Sequence, residues 1–221
     1  MTINRISVGM AVLGAAVSFQ ALGQAADVGL VNMLTGDVSY QSADAAPAKT
    51  QVFMKVRQGD RFTLPAGAQV RVVYFDGGRQ ETWKGPGAFR AGSRQSEPSS
   101  GSPAEVTRLP ATVPHRISQV PELIQIARLG RSGGVQVRGT AKAPRLTAEQ
   151  QAEVASARDT YRKLRAQSAD DDVTPELYLY TVLQDYLLYE DMKPVADDMV
   201  KRLPNNADLQ ELRTWVVSKA Q

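Results

Sequence analysis

The apolar residues of this chain change their period once, and that change limits the fold more than any other feature. Up to about residue 92 they alternate, as in "QVRVVYF" at 69–75; from Thr147 onward they recur every three or four positions. Alternation places successive side chains on opposite faces of a strand, whereas the longer spacing gathers them on one stripe of a helix. Strands grouped first and helices afterwards predict an α+β protein: a small all-β unit followed by a helical hairpin or bundle.

The strand half centres on "VRVVYFDGGRQETWKGPGAF" at 70–89. Val70, Val72 and Tyr74 point to one face and Arg71, Val73 and Phe75 to the other, the pattern of a strand covered on both sides. Asp76-Gly77 or Gly77-Gly78 supplies the positive φ angles of a hairpin turn, and either choice puts Trp83 on the face of Val70. Burying that ring contributes on the order of 2 to 3 kcal/mol. A phosphate or metal loop is the weaker reading, because no helix N-terminus and no second carboxylate cluster follow. Upstream, "GLVNMLTGDVSY" gives an extended run broken at Thr35 to Asp37, and "QVFMKV" reads as a further strand. Turn signals stand at Gly59-Asp60 and at Pro65 to Gly67.

This order resembles the FecR domain. The likeness covers roughly residues 28–92 and is carried by Gly59, Asp60, Gly67, Val70, Val72, Phe75, Asp76 and Gly77, mostly turn and core positions. It implies a fold more than an activity. The best-known members regulate iron-uptake sigma factors from the membrane, with a sigma-binding part ahead of a spanning helix. Only a handful of residues precede the apolar run here, so the resemblance implies an exported FecR-domain protein without that part.

The expected address comes from the first 25 residues. "MTINR" is a short basic start, "ISVGMAVLGAAVSF" is apolar, and Gly23, Ala25 and Ala26 suit signal-peptidase cleavage between Ala25 and Ala26. The run is shorter than the roughly 18 to 20 residues of a membrane span. A cleaved leader, a periplasmic or secreted protein and no membrane span after cleavage are therefore expected, with an uncleaved anchor as the alternative. The chain has no cysteine and one histidine, which excludes disulfides and thiolate chemistry, so packing must hold the fold together.

Charge divides the chain. Residues 26–146 hold 16 Lys and Arg against 9 Asp and Glu, and residues 147–221 hold 9 against 14. Opposite balances on adjacent segments predict a boundary and allow one half to lie against the other. The arginines are spread along the chain and no nucleic-acid motif accompanies them, so no nucleic-acid partner is expected. The expected units are a leader at 1–25, the β domain at 26–92, a Ser/Pro-rich connector at 93–146, and a helical module at 147–221. Within the connector, "VPELIQIARLG" predicts a short helix with Leu123, Ile126 and Ala127 on one face and Gly130 as its cap. "GGVQVRG" predicts a returning strand that points Val135 and Val137 inward. His115 reads as an ordinary surface histidine, since no nucleophile-elbow motif accompanies it.

In the helical half, "TAEQ" is a capping box from Thr147 to Gln150, followed by the stripe Val154, Ala157, Tyr161 and Leu164. Asp170, Asp171 and Asp172 suggest calcium, but the loop lacks the glycine and closing glutamate of a calcium-binding hand, and solvated helix-N-terminal charge is the expectation. A second helix is predicted from about Pro175 to Tyr189, then a break near Glu190, a third to Leu203, and a fourth along Leu209, Leu212 and Val216. The arrangement is similar to the end of a tetratricopeptide array, with Ala196 and Pro204 in place but no second copy at a fixed period. Tyr178, Tyr180, Tyr186 and Tyr189 are expected as core and rim residues or as a protein-binding face, and Trp83 as a further binding candidate.

No motif here specifies a reaction, metal or cofactor. The leading expectation is a non-catalytic adaptor or assembly component of the cell envelope acting through protein partners. A cell-wall or glycan-binding module is the alternative, and a hydrolase the third.

Overall fold

A computed structural model describes residues 25–43, 45–131 and 145–220. The leader and the strand expected around Val135 and Val137 lie outside the described residues. The chain runs through β1 (Asp27–Thr35), β2 (Ser39–Gln41), β3 (Ala48–Lys49), β4 (Lys55–Arg57), β5 (Arg61–Leu64), β6 (Gln69–Tyr74), β7 (Arg79–Lys84), β8 (Gly87–Ala91), β9 (Ser96–Ser100) and β10 (Glu105–Arg108). Helices follow: α1 (Thr112–Ile117), α2 (Val120–Arg131), α3 (Ala148–Gln167), α4 (Thr174–Asp185), α5 (Tyr189–Arg202) and α6 (Ala207–Lys219). Strands first and helices after make the fold α+β. The strands form two antiparallel sheets, an inner one ordered β10-β7-β6-β1-β4 and an outer one ordered β3-β2-β5-β8-β9.

The two sheets face each other across a core that includes Val31, Val70, Val72, Tyr74 and Trp83 from the inner sheet and Phe62, Leu64, Phe89 and Ala91 from the outer. Val70 pairs directly with Trp83 across the β6-β7 hairpin, the face that alternation predicts. Trp83 stacks on Phe89 at 4.6 Å, Phe89 on Phe62 at 4.9 Å and Phe62 on Tyr40 at 6.0 Å, a ladder of rings through the sandwich. The hairpin loop is a bend. Gly77 and Gly78 have φ of 80° and 62°, and the exposed Asp76 carboxylate accepts from Arg94 at 2.6 Å.

Two strand expectations need correction. The Ser-rich stretch expected as connector supplies β9 and β10, each an edge strand paired on one side only. Neither presents an apolar stripe: all four residues of β10 are exposed, so polar composition concealed both. "QVFMKV" is extended only from Lys55, because Phe53 takes the left-handed conformation at φ 64°. Its N–H donates to the Val31 carbonyl while the Val31 N–H donates to Met54, a bulge that turns the buried Phe53 ring toward the helices.

The other face of the inner sheet lies under the helices. Leu30 and Val73 join one cluster with Val113 and Ile117 of α1, Ile124 of α2, Leu177 and Leu183 of α4, Met192 and Met199 of α5 and Leu212 of α6. The molecule thus has three layers, and α1 and α2, from the segment expected as connector, belong to the helical one. The buried stripe of α2 is Val120, Ile124 and Ala127, leaving Ile126 exposed. Gly130 lies inside α2 instead of capping it; a Cβ there would meet Trp215 of α6 at 3.2 Å, so glycine permits a close helix crossing.

Both halves of the Thr147–Gln150 capping box are formed, and Val154, Ala157 and Leu164 are buried along α3 with Tyr161 packed beside them. Helix α4 is buried from Thr174 to Leu183, as expected for a central helix whose apolar residues surround it. The break before α5 falls at Tyr186 to Leu188, ahead of the Glu190 predicted, because Leu187 turns left-handed at φ 53°. Asn206 caps α6 by accepting from the Leu209 N–H at 3.0 Å.

Candidate functional site

The aromatic residues picked out by the sequence do not form one surface. Trp83, Tyr178 and Tyr180 are 3%, 5% and 1% exposed, so their rings lie inside the fold. The Tyr180 hydroxyl donates to the Leu212 carbonyl at 3.1 Å, and burial pushes its pKa far above the usual phenol value, as it does for Tyr74. Tyr186 and Tyr189 are half-buried at the end of α4 and start of α5. Tyr186 donates to Glu153 at 2.5 Å, a bond that raises its pKa; Tyr189 sets its ring edge-on to Trp215 at 5.7 Å. The core-and-rim expectation describes all four. Ala25 and Ala26 are exposed, and the Ala26 carbonyl accepts from the Gln58 N–H at 3.0 Å. His115 is exposed on α1.

Polar residues at alternate positions of three inner strands, instead, converge on the helices. Asn32 of β1 donates to Thr174 at 2.6 Å and to Gln80 at 3.3 Å, and Gln80 of β7 donates to Asp172 at 3.4 Å. Arg71 of β6 reaches the same Asp172 carboxylate at 3.3 Å and donates to Thr82 at 3.1 Å. The other Asp172 oxygen accepts from the Thr174 N–H at 2.9 Å, at the start of α4. Asp172 is 4% exposed; the expectation of solvated charge is corrected for it, because a buried arginine stands opposite. Asp170 and Asp171 remain exposed. Among the described residues no three His, Cys, Asp or Glu side chains converge as metal ligands.

A second sealed carboxylate, Glu176 of α4, is fully buried between Arg165 at 3.1 Å and Arg202 at 3.3 Å, joining α3, α4 and α5. A third, Glu81, sits inside the sandwich, where it pairs with Arg79 and accepts from Trp83 at 3.1 Å and from the Ser96 N–H. Asp172 ties the inner sheet to the helices, Glu176 ties three helices together, and Glu81 links β7 to β9 through the Ser96 N–H. Buried ion pairs of this kind specify how elements dock more than they stabilise them. Arg71 was visible in the sequence as a polar residue on the face opposite Val70 and Val72; the signal that it and Gln80 meet Asp172 was not.

Several clefts open on the surface of the described residues, two of them lined mostly by the β unit. One is a cleft of about 390 Å³ between the Gln51–Arg57 segment, α2 and the start of α6. Tyr40, Met54 and Ile124 line it, and its rim carries the pairs Lys55–Glu122 and Arg128–Asp208. The Lys55 ammonium is held above the usual lysine range by its bond to Glu122. Beside this cleft α2 exposes Ile126 and Leu129, at 48% and 70%. The other is a shallow groove of about 520 Å³ on the outward face of the outer sheet, lined by Ser39, Gln41, Arg61, Thr63 and Arg90 among others. No described helix is long and apolar enough to cross a membrane. Comparison with protein-family models, curated proteins and solved structures found no match.

Proposed function

We propose that the chain is an exported, non-catalytic adaptor or assembly component of the cell envelope, with a FecR-like β unit, that acts through protein contacts after its leader is removed at Ala25. The observation that carries the reading is the outward side of α2. Ile126 and Leu129 stand three residues apart, hence on the same side of the helix, and are exposed on the helix that also walls a cleft where Tyr40, Met54 and Ile124 lie among charged and amide side chains. Exposed apolar side chains bordered by polar and charged groups are the composition of protein interfaces. The partner such a surface suits is an apolar, amphipathic protein segment laid along α2.

Cross-linking and pull-down from a periplasmic extract, with mature chain carrying Leu129→Asp or Ile126→Asp beside the wild type, tests it. Both positions are exposed, so melting temperatures stay within a degree or two while capture of specific proteins is lost. Capture unchanged by both substitutions sinks the assignment of this surface. Intact mass of the exported protein checks the address: it begins near Ala26, and a full-length membrane-retained species overturns export.

A further inference from the structure

The outward face of the outer sheet carries an electrostatic anomaly. Arg61 of β5 and Arg90 of β8 are direct cross-strand partners, so both guanidinium groups project from the same face, and both are exposed. Like charges placed directly opposite destabilise a sheet. Neither guanidinium forms an ion pair or hydrogen bond with another described residue, whereas eleven other described arginines sit in ion pairs. Glu97 of β9 is the register partner of Arg90, yet it makes no ion pair with it.

The surroundings define what would neutralise these cations. Gln41 continues the row beyond Arg61, and the next row is Ser39, Thr63, Ala88 and Ser100. The groove these rows line carries hydroxyl, amide and guanidinium groups together with the Glu97 carboxylate, Pro47 and Pro98, and its aromatic residues Tyr40, Phe62 and Phe89 are half-buried or buried. It lacks the fully exposed aromatic or methionine anchors that protein interfaces are built around. A hydrated polymer with regularly placed anionic groups and many hydroxyls needs no such anchor; it needs planar donors for its carboxylates, which guanidinium supplies in a fork.

We propose that this face is a binding site for a carboxylate-bearing polysaccharide, with Arg61 and Arg90 taking its carboxylates and Ser39 and Thr63 facing its hydroxyls. The inference goes beyond the adaptor reading and rests on the face of the molecule carrying β5 and β8, not on α2. Glu97 opposes binding, since its carboxylate stands beside Arg90.

The test is calorimetric titration of the mature protein at low salt with hexagalacturonate, maltohexaose and hexaglutamate. The wild type binds the uronate, ignores the neutral sugar and loses affinity as salt rises. Arg61→Gln and Arg90→Gln each weaken binding about tenfold, the effect of losing one charged hydrogen-bonding group, and the double variant abolishes it. Their melting temperatures equal or exceed the wild type's, because a like-charge contact is relieved. Glu97→Gln tightens binding several-fold, a gain that no folding defect mimics. Absence of uronate binding, or affinities indifferent to all three substitutions, overturns the proposal. So does hexaglutamate binding as tightly as the uronate, which reassigns the face to acidic peptides. Leu129→Asp leaves uronate affinity unchanged, so failure here and failure of the adaptor reading are told apart.

Discussion

The two faces of the inner sheet solve the same problem in opposite ways. Toward the outer sheet it presents Val70, Val72, Tyr74 and Trp83, closed by stacked rings. Toward the helices the same strands present Asn32, Arg71, Gln80 and Thr82 beside Leu30 and Val73. The apolar face gains free energy from burial with little demand on angle. The polar face gains little on balance, but a docked helix that misplaces Asp172 strands the Arg71 cation in low dielectric. One interface supplies cohesion and the other fixes where α4 sits.

The largest effect that could break this division is Trp83→Ala. It removes the ring that links Val70 to Phe89 and is expected to destabilise by about 3 to 5 kcal/mol in a denaturant melt. A smaller loss than that of Asp172→Ala would put cohesion on the polar side. For Asp172→Ala itself we expect about 3 kcal/mol, from leaving Arg71 buried without its partner. The double variant Arg71→Met with Asp172→Leu sharpens the point: both charges go together, so stability returns to within about 1 kcal/mol of wild type. If the double variant is as unstable as the single, the pair is cohesive after all.

A smaller effect separates the two glycines of the β6-β7 loop. Gly77 has open space around it, and Gly77→Ala adds only the strain of a left-handed residue, about 1 to 2 kcal/mol. At Gly78 a Cβ would also lie 2.7 Å from the Leu109 carbonyl, so Gly78→Ala melts lower than Gly77→Ala. Equal melts would show that the approach of Leu109, and with it the seating of α1, is not tight.

The last test has no effect at neutral pH. Tyr74 lies in the sandwich and Tyr180 in the helical layer, and burial raises both phenols above their usual value of 10.0. Each therefore holds its proton more firmly folded than unfolded. Their contribution is complete below pH 10 and is lost as pH rises through the raised values. Absorbance of tyrosinate should show an early phase from exposed tyrosines and a late one coincident with unfolding. A single phase near pH 10 would mean that neither ring is sealed.

Much of this was legible in the chain. Alternation in β6 and β7 gave both the buried faces and the side of Trp83, because either two-residue turn, Asp76-Gly77 or Gly77-Gly78, keeps the same parity, whereas a three-residue loop would have reversed it. Thr147 and Gln150 announced α3, since a capping box is local. Edge strands β9 and β10 were hidden because, Ser96 apart, their residues are exposed and mostly polar, and Phe53 by a backbone conformation its residue type disfavours. Asp172 was misread because local sequence carries its charge but not its partner, Arg71, which arrives through the tertiary fold. The surface pair Arg61 and Arg90 was invisible for the same reason: register, not spacing, makes them neighbours.

A chain is made from its N-terminus, and that order gives the polar face of the inner sheet a further consequence. Both sheets can close on each other once β10 has been synthesised, shutting the stacked rings away from water. On the opposite face α1 and α2 follow β10 directly and bring the first apolar cover, but its polar residues must wait until Asp172 and α4 have followed. Were that face as oily as the first, the half-made protein would offer a sticky plane to every neighbour. Asn32, Arg71, Gln80 and Thr82 keep it wettable in the interval, so residues that orient α4 in the finished structure also protect the unfinished one.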